Sequence, residues 1–126
     1  MSGIRAVPRV VLVELGADGS VGDATALGRL LRDDGVEVVY TGQLTTVEQI
    51  VATAGQEDPD VLGVVVAEGQ TVSLAGLAGA LPGIHLFALG SAPDGVETVF
   101  ETASQVAEWL SGVRAHTPRG PSDRVR

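Results

Sequence analysis

Hydrophobic residues in this chain fall into short, nearly unbroken runs, separated by segments whose apolar positions recur every three or four residues. The runs Arg9 to Leu15, Val36 to Tyr40, Val61 to Ala67 and Ile84 to Leu89 are rich in Val, Leu and Ile and show little polar alternation, the pattern of strands buried on both faces. Between them, Ala24, Leu27, Leu30 and Leu31 predict a helix that opens near Asp23 as N-cap and stops at Asp34-Gly35. Thr45-x-x-Glu48 has the form of a capping box, followed by Val47, Ile50, Val51 and Ala54 on one helical face and a stop before Pro59. A third helix is expected from Thr71 to Leu81 with Leu74, Leu77, Ala78 and Leu81 inward, although Gly76 and Gly79 each weaken it by about 1 kcal/mol relative to Ala. Glu97 to Phe100 reads either as a short fifth strand or as the start of a last helix carrying Ala103, Val106, Ala107 and Leu110, with Trp109 on its flank.

Strand alternating with helix through four or five strands predicts an α/β domain. Its architecture is an open, doubly wound parallel sheet with right-handed crossovers and helices on both faces. Ligands of such sheets bind beyond the carboxyl ends of the strands, where the strand order reverses, so the loops after the first, third and fourth strands are the places to look for chemistry.

Composition sharpens this picture. The chain has 126 residues, the size of one domain. With 44% hydrophobic but only 3% aromatic residues, its core must be aliphatic. There is no cysteine, which removes disulfides, thiolate catalysis and sulfur-ligated metals. All eight basic residues are arginines, so a P-loop lysine and Schiff-base chemistry are excluded as well. Residues 1–113 carry a net charge of −11 and residues 114–126 one of +3. The acidic body argues against nucleic acid as a partner. The basic tail, with Pro118, Gly120 and Pro121, is expected to be disordered, and its removal to leave the fold intact. No apolar window suits a membrane span and no secretory signal pattern opens the chain, so a cytoplasmic location is expected.

In the loop after the first strand, Gly16, Gly19 and Gly22 are spaced by three, unlike the Gly-x-Gly-x-x-Gly of dinucleotide binders. Glu14, Asp18 and Asp23 crowd it with negative charge and disfavour phosphate. The plain alternative is a turn at Asp18-Gly19 with Ser20 or Asp23 as N-cap. Asp18, Ser20, Glu68 and Ser91 are the polar groups available for catalysis. Without lysine, cysteine or a nearby histidine they form no complete nucleophile or acid/base set. No catalytic residue and no metal ligand is assigned.

The order Arg9-Val-Val-Leu-Val-Glu-Leu-Gly-Ala-Asp18-Gly19, then a helix, then Asp34-Gly35-Val36-Glu37-Val38-Val39-Tyr40-Thr41-Gly42 resembles the opening of the cobalamin-binding domain of methylmalonyl-CoA mutase and its relatives. The similarity continues through Leu44 to Ile50 and Asp60 to Val64, and spans about Arg9 to Leu89. It implies a flavodoxin-like fold and an inherited site at Asp18, Gly19, Ser20, Val65, Ala67, Gly90 and Ser91.

The family's signature begins Asp-x-His-x-x-Gly, its histidine ligating cobalt and its aspartate orienting that ring. Here Asp18 and Gly19 match, Ser20 stands at the histidine position and Asp23 at the closing glycine. A hydroxyl does not replace imidazole at cobalt. The Ser-x-Leu expected after the third strand is replaced by Val64 to Gln70, and the Gly-Gly after the fourth appears as Gly90-Ser91. Most of the helix expected before the fifth strand is missing, leaving Ser91 to Val96. The resemblance therefore implies a non-catalytic, cobalamin-domain-like module that binds a protein partner, such as a mutase-type or other acyl-CoA-enzyme subunit, with no cofactor expected. The alternative is a true corrinoid-binding small subunit of a mutase or methyltransferase that takes cobalamin base-on.

Overall fold

A computed structural model describes residues 7–15, 21–66, 73–91 and 93–116. Five strands form one parallel sheet: β1 (Arg9–Leu15), β2 (Glu37–Leu44), β3 (Val61–Val66), β4 (His85–Gly90) and β5 (Val99–Phe100), in the order β2-β1-β3-β4-β5. The helices are α1 (Val21–Asp33), α2 (Val47–Glu57), α3 (Leu77–Ala80) and α4 (Ala103–His116). This is the doubly wound parallel sheet expected from the chain's periodicity, with the flavodoxin-like order that the resemblance implied.

The alternation of side chains along each strand divides the core into two layers. Val10 and Leu12 of β1, Val61 and Val65 of β3, and Phe87 and Leu89 of β4 pack with Ala24, Leu27 and Leu31 of α1 and with Val106 and Leu110 of α4. On the other face, Val11, Val13 and Leu15, Leu62, Val64 and Val66, and Ala88 pack with Ile50 and Ala54 of α2 and Leu77 of α3. Both layers are built almost wholly of aliphatic groups, with Phe87 the one buried ring among the described residues. Trp109 is half-buried and packs inward, with its ring 5.6 Å from both Phe87 and Phe100.

At the amino edge of the sheet, Arg9 ties three elements together. Its backbone N–H donates to Asp60 Oδ2 at 2.9 Å and its Nη1 to the Glu57 carbonyl at 2.7 Å. Its Nε lies 3.2 Å from Glu37 Oε1 but makes no aligned hydrogen bond, so that contact is one of charge alone.

Several boundaries depart from the sequence expectation, each for a local reason. Helix α1 begins at Val21, so Asp23 lies inside it and is not its N-cap. Strand β2 continues past Tyr40 to Leu44, with a register shift opposite Leu12/Glu14 and Gly42 at φ 80°. The box that opens α2 is Thr46 and Gln49, one residue on from Thr45 and Glu48. Thr46 is the extended residue (φ −128°, ψ 155°), its side chain accepts from Gln49 N at 3.1 Å, and Gln49 Oε1 accepts from the backbone N–H of Thr46 at 3.2 Å. A second box of the same type precedes α4, where Gln105 N donates to Thr102 Oγ1 at 3.3 Å and Gln105 Oε1 accepts from Thr102 N at 3.1 Å.

The largest departure is α3, a single turn in place of a helix from Thr71 to Leu81. Leu74, Leu77 and Leu81 are buried as expected, but Ala78 is exposed. Gly76 takes φ 88°, which no right-handed helix accommodates, and Leu74 N donates to the Asp94 carbonyl at 2.7 Å instead of entering a helix. The choice at Glu97 to Phe100 resolves to a strand, with Val99 and Phe100 pairing Ala88 and Leu89. Helix α4 runs to His116, three residues into the stretch assigned to the tail, and residues 117–126 lie outside the described residues.

Candidate functional site

Strands β1, β3 and β4 end level with one another, since Leu15 pairs Val66 and Val66 pairs Gly90. The chain leaves β1 to one side for β2 and returns to the other for β3, so the order reverses between β1 and β3. The carboxyl ends of these strands form the place where a doubly wound sheet takes its ligand. Of the positions inferred from the sequence, Asp18, Gly19, Ser20 and Ala67 lie outside the described residues, as does Glu68. Val65, Gly90 and Ser91 are described and come together at or just below this edge.

Val65 is fully buried in the layer beneath α1 and α4, so it supports the site from below. Gly90 is exposed and takes φ 106°. A side chain there would run into the Val66 carbonyl, which keeps bare backbone at the end of β4. Ser91 is half-buried immediately beyond it.

One residue that pattern reading does not single out as a ligand group stands out here. Glu14, the last residue but one of β1, is only 9% exposed and is the one charged side chain buried among the described residues. It shares the parity of Val10 and Leu12, which places it on the α1/α4 face, between Gln43 of β2 and Val65 of β3 in register. The sequence signal is an acid at the penultimate position of an otherwise apolar strand, which by itself registers only as local negative charge.

Neither histidine belongs to this edge. His85 opens β4, roughly 17 Å from its carboxyl end at the rise of a parallel strand. Its ring meets Trp109 edge-on at 6.3 Å. His116 is the last residue of α4, one turn past Val113, which borders a separate 490 Å³ groove with Ile84, His85, Leu86, Val96 and Trp109. Among the described residues no cluster of His, Asp or Glu is arranged as a set of metal ligands, and no helix is long and apolar enough to cross a membrane.

Fold and site together define a flavodoxin-like domain whose ligand edge lies at the β1/β3 switch point, floored by one buried acid and bordered by a bare glycine. No family model matches the chain. It is 46% identical over 61 residues to the 2-hydroxyisobutanoyl-CoA mutase small subunit of Aquincola tertiaricarbonis, which covers 48% of this chain and 45% of that protein. It is 38% identical over 56 residues to the pivalyl-CoA mutase small subunit of Xanthobacter autotrophicus, covering 44% of this chain and 38% of that protein. The chain is thus a partial homologue of CoA-mutase small subunits, and matches less than half the length of these two relatives.

Proposed function

We propose that this chain is a cobalamin-domain-like module that acts as a small subunit by docking to the large subunit of a mutase-type acyl-CoA enzyme, neither ligating cobalt nor catalysing a reaction alone. The reading is supported by the partial homology to CoA-mutase small subunits taken with the motif resemblance, in which Ser20 falls at the position of the family's cobalt ligand. His85, at the far edge of the sheet, is too distant to substitute. A fold retained without its ligating group has its remaining use in surface and shape.

The test is a titration with hydroxocobalamin and adenosylcobalamin, read by visible absorbance and calorimetry, beside gel filtration with the large subunit of 2-hydroxyisobutanoyl-CoA mutase. A colourless protein that co-elutes with the large subunit supports the reading. A base-off spectrum with a histidine on cobalt overturns it. The variant Ser20→His asks separately whether returning the imidazole is enough to recover cofactor.

A second reading, base-on corrinoid binding, is favoured by Gly90. Its positive φ and its approach to Val66 leave backbone uncovered at the strand end, as a flat ligand lying against the chain requires. In that reading cobalamin keeps its own base, and the titration gives saturable binding with a base-on spectrum.

A further inference from the structure

The groove at the amino end of β4 combines an apolar wall with an open strand edge. Its 490 Å³ are bordered by half-buried Ile84, Leu86, Trp109 and Val113, with Val96 buried among them. The His85 N–H donates to the Asp60 carbonyl on the β3 side of β4, and the Ala88 N–H donates to the Thr98 carbonyl on the β5 side. Backbone groups alternate between the two sides of a strand, so those of Leu86 share the β5 side with those of Ala88. Strand β5 begins only at Val99, opposite Ala88, and among the described residues no strand pairs with Leu86 on that side. An apolar trough beside an unpaired edge suits an extended segment, which takes backbone bonds from the edge and sets alternate side chains in the trough.

The chain itself carries such a segment. Helix α4 brings the main chain to this place, with Val113 in the wall and His116 closing the helix one turn later. Residues 117–126 follow, enough to reach about 30 Å when extended. Pro118 and Pro121 bar the helix from continuing through them. Arg124-Val125-Arg126 is free of proline, so each residue keeps the N–H that strand pairing needs, and in extended form both arginines point to one side and Val125 to the other. The charges match as well. Residues 114–126 carry +3 against −11 for residues 1–113, and Glu97 is the one acid among the described residues that line the groove.

We propose that residues 117–126 fold back onto this groove as an extended segment, with Val125 against Ile84, Leu86 and Trp109, the two arginines at Glu97, and backbone bonds to Leu86. The contacts are few, but tethering holds the segment at an effective concentration on the order of millimolar. A weak contact is then maintained without being needed for the fold, and a partner reaches the groove only by displacing the tail. The inference is independent of whether the carboxyl edge of the sheet takes a corrinoid.

Trp109 is the single tryptophan of the chain and stands in the groove wall, so its fluorescence reads occupancy. The experiment measures quenching by acrylamide, which is uncharged, in the full chain and three full-length variants: Glu97→Arg, Arg124→Glu with Arg126→Glu, and all three changes together. At low ionic strength the parent and the triple variant are expected to be shielded. The other two are expected to quench about twofold more steeply, as is the parent in about 0.5 M salt, where attraction between exposed charges is screened. The tail variant keeps every residue of the groove, so greater quenching there does not come from a damaged wall. Equal quenching in the parent and the tail variant would overturn the proposal and leave the groove to another molecule, and a triple variant that stays unshielded would overturn it too. Shielding that fades on dilution would assign the tail to a second copy, against the intramolecular contact proposed.

Discussion

The ring of Phe87 fills the space that a side chain on Gly63 would need, so the central strand β3 and its neighbour β4 interlock through a missing Cβ. Both positions are fixed, because Phe87 is 1% exposed and is itself held by Phe100 and Trp109. Gly63→Ala is therefore expected to destabilise by about 2 kcal/mol through overpacking. Phe87→Leu in the same chain should recover part of that loss, giving a coupling on the order of 1 kcal/mol in a double-mutant cycle. Urea unfolding of the three variants measures it, and strictly additive losses would mean that the two sites relax independently.

Gly90 is bound to its residue type by backbone as well as by space. Gly90→Ala must hold a side chain at φ 106° against the Val66 carbonyl, for an expected loss of roughly 2 to 3 kcal/mol. Chemical denaturation reads the loss, and a neutral result would show that β4 can end in another conformation.

The two Thr-x-x-Gln boxes are far apart and equivalent in form. Thr46→Ala and Thr102→Ala are each expected to cost about 1 kcal/mol. The double variant should lose the sum to within about 0.5 kcal/mol. Urea midpoints with an unchanged slope would confirm local loss of a cap.

The last buried side chain of α4 is Leu110 among the described residues. We propose that residues 114–126 contribute little to the fold, so a chain ending at Val113 should still unfold cooperatively, with a loss of no more than about 1 kcal/mol. Calorimetry of the shortened chain decides. A broad or absent transition would show that the last turn of α4, or the basic segment beyond it, is integral to the domain.

How far the sequence predicted these features depended on what kind of force fixed each element. Strand β1 matches its expected bounds because a run of β-branched residues buried on both faces has no other stable setting. The spacing of Leu74, Leu77 and Leu81 correctly marked buried positions but suggested a helix, since three leucines at that spacing satisfy both a helix and a pinned loop. The left-handed Gly76 and the bond from Leu74 to Asp94 decided it, and neither can be read from periodicity. Thr45 and Thr46 are adjacent, as are Glu48 and Gln49, so two capping boxes fitted the same segment and only backbone geometry chose between them. At the ligand edge, Gly90 was legible because a glycine after a buried strand is conspicuous. Glu14 was not, because burial is a property of the neighbours that α1 and β3 bring to it, and none of those is adjacent in the chain.

Strand β5 pairs with β4 through only two residues. An unpaired sheet margin is a template on which another chain can grow, and long, flat, apolar margins are where fibrils and misassembled oligomers begin. Here one margin is too brief to serve, and the opposite one, β2, carries Glu37 and a break in register opposite β1. Both margins of this aliphatic sheet thus carry features that hinder edge-to-edge pairing, without recourse to lysine, the residue most often used to guard such margins.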